Sequence, residues 1–333
     1  MEVGPLDEGD DEGEDEGEDV RRGAGVLTFG EALVGYASGQ PTLAAATTFE
    51  RFLGGADLNV AVGLRRLGVP ATYATVLGQD AHGDFAAARL EELAVPALLR
   101  RAPGPTAVMF KAGDGTGDPE VLQLRHATAF ARAAGEVVPD AVDALPRVAH
   151  LHLTGITLGI SPAARKATLL VLEHARAAGC TVSFDPNLRL HLWPDRDEMR
   201  EVVNGVAARA DVVLPGVEEA RLLTGSGDPE DVAAFYTGLG AGEVAVKLGA
   251  DGAAGAVRGG ALARSRRFAV RPVDTVGAGD GFASGYLAGL LAGEPHQVRL
   301  DRAAAVGALV TTRAGDLDAM PPRAEVDLLL RSR

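Results

Sequence analysis

DTVGAGDGFASGY, residues 274–286, is the most informative segment of the sequence. Small residues form a tight turn at 277–279, and an apolar helix follows at once. Glycines let several backbone N–H groups converge on one point, because no Cβ atom stands in the way. The N-terminus of the following helix adds about half a positive charge. Turn and helix together predict an anion site that suits a phosphoryl group.

Asp280 is the acidic residue of this turn, and its sequence context allows two interpretations. A carboxylate at a helix start ordinarily caps the helix or interacts with its dipole. Beside an anion site, however, it repels phosphate, and the alternative is that it accepts a proton from an attacking hydroxyl group. The turn alone leaves both interpretations open.

The chain around this turn alternates short apolar strands with helices. This alternation predicts an α/β fold, with a mostly parallel sheet covered by helices on both faces. Two early hairpin regions, 36–53 and 106–126, do not fit the alternation and predict a small β lid. An edge strand is expected at 270–273. The remaining strands are predicted at 26–29, 71–77, 148–153, 180–185, 212–214 and 244–248, and the helices at 58–67, 86–93, 163–178, 197–208, 217–223, 283–292 and 302–312.

The charge of the chain is concentrated at its start. The 333 residues carry a net charge of −14, of which residues 1–22 contribute −9 through eleven acidic residues and two arginines. Such a segment repels itself and builds no core, so we expect a disordered acidic tail, either a passive solubilising extension or an interaction tail. Residues 23–333 are then the folded domain, and 47% of the whole chain is hydrophobic.

Composition also excludes several partners. The body has no basic cluster, which argues against nucleic acid as a partner. No apolar run reaches the roughly 18 residues of a membrane span, and the acidic N-terminus is unlike a signal peptide. Cys180 is the single cysteine, so no intramolecular disulfide forms, which fits a cytoplasmic location.

A second segment extends the interpretation to a family. GGADLNVAVGLRRLG, residues 54–68, resembles the first signature of the ribokinase-like (PfkB) carbohydrate kinases, and residues 274–286 resemble the second. The two signatures stand in the right order about 220 residues apart, and the resemblance covers 25–322. It implies a three-layer α/β/α sandwich with a β lid, and phosphorylation of a sugar hydroxyl by ATP with Mg²⁺. P-loop, dinucleotide-binding and zinc-protease motifs are absent from the sequence.

The resemblance assigns catalytic roles by position. Asp280 is implied to be the base that deprotonates the sugar hydroxyl. The backbone N–H groups of Gly277, Ala278, Gly279 and Asp280 are implied to form the hole for the transferring phosphoryl group. In phosphoryl transfer the protein contributes mainly by positioning the reactants and by neutralising charge.

The nucleotide side matches the family less completely. Lys247, Gly249 and Gly252 resemble its nucleotide loop, although a Gly-x-x-Gly sequence after a strand is by itself usually a turn. Glu219 resembles the glutamate of an Asn-x-x-Glu motif that is linked to Mg²⁺ through water, with no direct protein ligand to the metal. An exposed helix carboxylate is the alternative for Glu219, and Glu218 is another match for the motif. Gly216 and Ala304 stand where relatives carry asparagines, and the resemblance leaves a monovalent cation open.

On the substrate side, Gly54 and Gly55 form the turn that faces the sugar in the family. Asp57 and Asn59 follow at the helix start, where they either cap the helix or bind sugar hydroxyls. The resemblance favours binding. Relatives of this family often pair through their lids, so a homodimer is a further expectation.

Two arginines bear on the substrate class. An isolated arginine is usually a solvated surface residue, and this is one interpretation of Arg125 and Arg189. The alternative is that the two converge on one cleft, where their guanidinium groups would bind a carboxylate. The segment 185–193 is similar to that of 2-keto-3-deoxygluconate kinases and their fructokinase neighbours, although Gln123 stands where many of the former carry tyrosine. A sugar-acid kinase is the leading hypothesis. The alternatives are a neutral-sugar kinase of the fructokinase or ribokinase type, and a non-catalytic sugar-binding protein on the same fold.

Overall fold

A large twisted sheet forms the centre of the molecule. The computed structural model describes residues 1, 23, 25–114 and 119–332, so the acidic tail predicted at 1–22 lies, apart from residue 1, outside the described residues. Within them the sheet has nine strands in the order β13-β12-β11-β10-β9-β8-β1-β4-β5. These strands are β1 (Gly25–Phe29), β4 (Ala71–Gly78), β5 (Ala97–Ala102), β8 (Val148–Thr154), β9 (Thr181–Asp185), β10 (Val212–Val213), β11 (Glu243–Lys247), β12 (Ala253–Val257) and β13 (Ala263–Arg264).

In the spatial order given above, all neighbouring strands from β11 across to β5 pair in parallel. β12 and β13 add an antiparallel edge. β1 is buried along its whole length, with Val26 in the core on one face and Leu27 and Phe29 in the core on the other. The strand lies between β4 and β8, so the strand order reverses there. Ligands of open parallel sheets bind at such a reversal, outside the carboxyl ends of the strands.

Helices cover both faces of this sheet. One layer contains α1, α2, α10, α11 and α12, and the other contains α3 to α9. The helices are α1 (Ala56–Arg66), α2 (Ala81–Glu92), α3 (Ala129–Ala133), α4 (Val138–Ala144), α5 (Gly155–Ile160), α6 (Pro162–Ala177), α7 (Arg196–Ala207), α8 (Val217–Thr224), α9 (Pro229–Leu239), α10 (Ala278–Leu291), α11 (His296–Val310) and α12 (Arg323–Arg331). The predicted three-layer α/β/α class is confirmed.

A second, smaller sheet, here the lid sheet, consists of β2 (Leu33–Ser38), β3 (Glu50–Gly54), β6 (Ala107–Ala112) and β7 (Glu120–Leu124). Its order is β3-β2-β6-β7, with β2 and β6 parallel and the two outer pairs antiparallel. Leu33, Ala107 and Met109 form a small buried cluster with Phe52 packed against it. The strands fall close to the two hairpin regions that the sequence sets apart.

Close packing of α1 against α10 brings the two signatures together. A Cβ atom at Gly63 would lie 2.5 Å from Oγ of Ser284, so only a glycine allows the two helices this separation. The N-terminal ends of both helices then lie at one place, although they are far apart in sequence. Candidate site residues of both signatures therefore share one cleft.

The edge of the sheet departs from the sequence expectation. Residues 270–273 form no strand, and Val273 is 62% exposed. Their alternation resembles a strand, but Pro272 has no N–H to donate to a ladder. The edge is instead β13, a two-residue strand that no sequence pattern marks. Within the described residues no helix is long and apolar enough to cross a membrane.

Candidate active site

Asp280 lies at the third position of α10, and the residue is 7% exposed. Its carboxylate accepts hydrogen bonds from two side-chain amides, Nδ2 of Asn59 at 2.7 Å and Nδ2 of Asn187 at 3.1 Å. Among the described residues no side chain caps the N-terminus of α10, so Asp280 does not have the role of a helix cap. Burial raises the pKa of Asp280 to about 6, and the negative charge of Asp316 adds to the rise.

The turn before Asp280 has the backbone geometry of an anion site. Gly277, directly before α10, has φ of 78°, a left-handed conformation that favours glycine. The first N–H groups of a helix have no intrahelical acceptor, which leaves them for a ligand. Of the four predicted donors, the N–H of Ala278 already makes a long 3.3 Å bond to the carbonyl of Thr275.

Asp316 is a second buried carboxylate in this cleft, and no sequence motif marks it. Nδ2 of Asn59 donates to its Oδ1 at 2.6 Å. A Cβ atom would lie 2.4 Å from its Oδ2 at Gly54 and 3.0 Å from its Oδ1 at Gly277, so the carboxylate fits against both glycine turns. Burial raises the pKa of Asp316 to about 6.

Asp57 lies at the reversal point of the sheet. A Cβ atom at Gly30, directly after β1, would lie 2.0 Å from its Oδ2, and Oγ1 of Thr154, at the end of β8, donates to that oxygen at 3.0 Å. Gly55 precedes α1 with φ of 144°. Burial raises the pKa of Asp57 well above its usual value. Oδ1 of Asp57 and Oδ1 of Asn59 are buried without a hydrogen-bond partner among the described residues.

Arg125 is buried directly after β7 of the lid sheet, with 4% of the residue exposed. Its Nε lies 3.5 Å from Oε2 of Glu31, which follows β1. Oγ1 of Thr128 donates to the other oxygen of Glu31 at 2.8 Å. Nε and Nη1 of Arg125 have no hydrogen-bond partner among the described residues, so this guanidinium retains donors for a ligand.

Arg189 is half-buried in the loop after β9, where its Nη1 donates to the carbonyl of Leu188 at 3.0 Å. Burial lowers the pKa of Arg125, and the charge of Arg189 lowers it further. Arg189 also lowers the pKa of Asp280. Burial and then both arginines lower the pKa of His191. The charge of Arg189 thus acts on Arg125, and both predicted arginines act on His191.

Lys247 ends β11 and pairs with Asp185 at the end of β9. Its Nζ lies 2.8 and 2.6 Å from the two oxygens of that carboxylate. Burial lowers the pKa of Lys247, but the attraction of Asp185 and then of Glu219 outweighs it and raises the pKa overall. A Cβ atom at Gly279 would lie 3.5 Å from Nζ, which places this ammonium group beside the anion turn.

Glu219 is held by backbone amides at the start of α8. The N–H of Leu188 donates to its Oε1, and the N–H of Gly216 donates to its Oε2, both at 2.7 Å. The second bond is the reciprocal half of a capping box. Glu219 therefore has a structural role here, and its charge still acts on Lys247.

The predicted nucleotide loop is a tight turn between β11 and β12. Gly249 and Gly252 have φ of 61° and 83°, left-handed values that glycine adopts without strain. Ala304 is buried in α11 at 8% exposure. Within the described residues no group of three or more His, Cys, Asp or Glu side chains is arranged to hold a metal ion.

Comparisons with known proteins decide the family. The profile of the pfkB family carbohydrate kinases matches residues 24–323. The chain belongs to the PfkB family of carbohydrate kinases. It is 37% identical to the 2-dehydro-3-deoxygluconokinase of Bacillus subtilis (strain 168), over 92% of this chain and 95% of that protein. It is 32% identical to the probable fructokinase-7 of Arabidopsis thaliana, over 92% of each.

A solved structure is similar along the whole domain. The putative ribokinase II of E. coli, in complex with ATP and Mg²⁺, superposes with a TM-score of 0.84 at 26% identity, and the match covers 92% of this chain and 99% of that one. The present chain is thus a sugar kinase with the fold of its relatives.

Several residues of the kinase cleft were not assigned by sequence reasoning. Asp316 and Glu31 carry charge there, and Asn187 and Thr154 donate to the predicted acids. Asn187 has φ of 39°, a left-handed conformation that asparagine tolerates more readily than most residues. An asparagine directly after Asp185-Pro186 is a weak signal of such a turn.

Proposed function

We propose that this kinase transfers the terminal phosphoryl group of ATP to a hydroxyl of a sugar acid of the 2-dehydro-3-deoxygluconate class, with Asp280 as the general base. One observation carries the proposal: a buried carboxylate with a pKa of about 6 stands at a glycine-rich helix start and does not cap that helix. A base with a pKa near the working pH is suited to accept a proton. The intact carboxylate also argues against a non-catalytic sugar-binding protein.

The residues around Asp280 supply positioning and charge. Asn59 and Asn187 hold the carboxylate in place, so that one oxygen lone pair is directed at the sugar hydroxyl as it attacks. The amides of Gly277, Gly279 and Asp280 stabilise the charge of the phosphoryl oxygens, and the ammonium of Lys247 beside Gly279 adds a positive charge. The turn therefore fits a phosphate group. Mg²⁺ bound to ATP supplies further neutralisation of the phosphate charge.

Buried polar atoms without partners favour a hydroxylated acid. Oδ1 of Asp57 and Oδ1 of Asn59 are acceptors that sugar hydroxyls satisfy, whereas Nε and Nη1 of Arg125 are donors that a carboxylate satisfies. Arg189 adds a second positive charge to the same electrostatic cluster. The 37% identity to a protein named 2-dehydro-3-deoxygluconokinase supports this choice.

A neutral-sugar kinase is the second candidate, and a specific observation favours it. Glu31 lies 3.5 Å from Arg125 and offsets its charge, which makes Arg125 a weaker ligand for a carboxylate. Gln123 stands at the position where many ketodeoxygluconate kinases carry tyrosine, and its Oε1 is buried without a partner among the described residues. Relatives named fructokinase are 32% identical to the chain.

A substrate panel separates the two candidates. The purified chain is assayed with Mg-ATP on 2-dehydro-3-deoxygluconate, 2-dehydro-3-deoxygalactonate, fructose and ribose. The proposal predicts that kcat/KM for an acid exceeds that for either neutral sugar by at least about tenfold. Turnover of fructose or ribose with none of the acids would overturn the sugar-acid assignment and leave the kinase assignment intact. Assays in K⁺ and in Na⁺ test the monovalent cation, which stays a prediction.

We further propose that two chains pair through the lid sheet. β7 lies at the edge of that sheet, and its Val121, Leu122 and Leu124 are 44%, 49% and 52% exposed. An exposed apolar edge strand favours pairing with another strand. Leu122→Glu with Leu124→Glu should convert a dimer into a monomer in sedimentation analysis, and a monomeric wild type would refute the pairing. The cytoplasmic location stays a prediction.

A further inference from the structure

An ion pair joins the lid sheet to the anion turn. Nζ of Lys111, on β6, lies 2.8 and 2.7 Å from the two carboxylate oxygens of Asp274. The side chains are only 15% and 16% exposed, so bulk water screens their attraction less than that of a surface pair. Asp274 precedes Gly277 by three residues and Asp280 by six.

Asp274 is also tied to its own loop. Its Oδ1 accepts a hydrogen bond from the N–H of Val276 at 3.1 Å. The N–H groups of Val273 and Asp274 both donate to the carbonyl of Thr311, at the end of α11, at 2.7 and 3.1 Å. The carboxylate therefore connects a lid strand, the turn before α10 and the end of α11.

Other contacts hold the lid sheet without involving this loop. Oη of Tyr36 lies 3.0 Å from Nε2 of His82, and the guanidinium of Arg51 lies 3.8 Å above the ring of Phe85. Both of these contacts reach α2, on a different part of the domain. A variant that removes one of these contacts weakens the attachment of the lid sheet without touching the loop before α10. It therefore distinguishes a general effect of lid attachment from a specific effect on the anion turn.

We propose that Lys111 is a positioning residue, which holds the loop 274–277 through Asp274 so that the amides of the anion turn are in place when the lid sheet is closed. The inference rests on the proposed phosphoryl transfer. Amides aimed at developing charge are effective only if they do not reorganise during the reaction. Removal of Lys111 leaves a partly buried carboxylate without its cation, which destabilises the loop that it anchors.

The test compares four single variants and one double variant, Lys111→Met with Asp274→Asn, of the full-length chain. Lys111→Met removes the charge and keeps the length of the side chain, whereas Lys111→Arg keeps the charge. Asp274→Asn removes the partner charge and keeps an acceptor for Val276. Tyr36→Phe removes a lid contact that does not reach the loop and serves as the matched control.

The readouts are steady-state kinetics and hydrogen exchange of peptides that cover 274–284. Lys111→Met should lower kcat about tenfold, which corresponds to about 1.4 kcal/mol, with smaller changes in KM. The double variant with Asp274→Asn should fall no further than the worse single one, because the pair acts as a unit. Lys111→Arg should recover most of the loss. Exchange in the loop should be faster in Lys111→Met and unchanged in Tyr36→Phe.

Two results would overturn the inference. Equal losses in Tyr36→Phe and Lys111→Met would show a general effect of lid stability. Additive losses in the double variant would show that Lys111 acts elsewhere than on Asp274. Failure of the proposed function is recognised separately, as a wild-type chain without phosphoryl transfer to any sugar, and the exchange comparison still tests the loop in that case.

Discussion

The Nδ2 amide of Asn59 donates to two carboxylates at once, Oδ2 of Asp280 at 2.7 Å and Oδ1 of Asp316 at 2.6 Å. The three residues come from α1, from α10 and from the loop after α11. Burial raises the pKa of each acid to about 6, and the charge of Asp316 adds to the rise at Asp280. The pKa of the proposed base is thus about 6, first because the carboxylate is buried and then because Asp316 is negatively charged.

The first prediction concerns the pH dependence of catalysis. Asp280 accepts a proton only when it is ionised, so kcat/KM should fall as the pH drops through about 6. Asp316→Asn removes a charge that raises the pKa of Asp280, and should move this acid limb to lower pH. Asn59→Ala removes a hydrogen bond that lowers the pKa, and should move the limb to higher pH. The pH profile of each variant is the measurement.

Opposite shifts in these two variants are the decisive feature. A general loss of structure would lower kcat/KM at every pH and leave the midpoint in place. If both variants kept the wild-type midpoint, the limb would belong to another group, and Asp280 would lose its support as the base.

Sequence reasoning reaches the parts of the site that local pattern determines. The turn 277–279 and the residues at 54–59 form local motifs, and their chemistry can be predicted from the sequence without knowledge of the fold. The place of Asp316 in the site cannot be predicted in this way, because an acidic residue after a glycine is common in ordinary turns. Only the packing of α10 against α11 brings its carboxylate to Gly54 and Gly277. Its role is a long-range property of the fold.

The same distinction explains the outcome for the secondary structure. The central strands are apolar runs between turn formers, and the pattern predicts them well. The edge strands are harder to predict, because β12 consists mostly of small residues and β13 has only two residues. Residues 270–273, in contrast, have the alternating pattern of a strand but do not pair with the sheet. Arg125 and Lys111 project from the lid sheet, and no sequence pattern shows which part of the domain they contact.

The second prediction tests the base directly. Asp280→Asn should lower kcat by about 10²- to 10⁴-fold, because the amide no longer accepts the hydroxyl proton. Sugar binding, measured by calorimetry, should persist. Asp143→Asn changes an exposed carboxylate on α4 and is the matched control. Turnover close to that of wild type in Asp280→Asn would contradict the assignment.

The third prediction tests recognition of a carboxylate. Arg125→Ala and Arg189→Ala should each raise KM for a sugar acid by about tenfold or more, because a charge-assisted hydrogen bond is lost. The effect on a neutral sugar should be much smaller. Arg132→Ala, at an exposed position of α3, controls for loss of positive charge in general. Equal effects of Arg125→Ala and Arg189→Ala on both sugars would argue for a structural role of these arginines.

The fourth prediction concerns stability. An aspartate with an unfolded pKa near 3.8 and a folded pKa of about 6 binds its proton more tightly in the folded state. The folded state therefore loses stability as the pH rises from about 4 to about 6, and the loss persists above that range. Asp316→Asn removes this loss, and should raise the free energy of unfolding by about 1–3 kcal/mol at pH 8 and by less at pH 5.

Denaturant unfolding of wild type, Asp316→Asn and Asp143→Asn at pH 5 and pH 8 measures this difference. The exposed Asp143 supplies the control, because replacement of a solvated carboxylate should change stability little at either pH. A destabilised Asp316→Asn at pH 8 would show that the ionised carboxylate holds the loop after α11 together. Asp316 would then serve to stabilise the fold. A stabilised variant would show instead that the kinase retains a buried charge beside its proposed base although this charge lowers the free energy of unfolding.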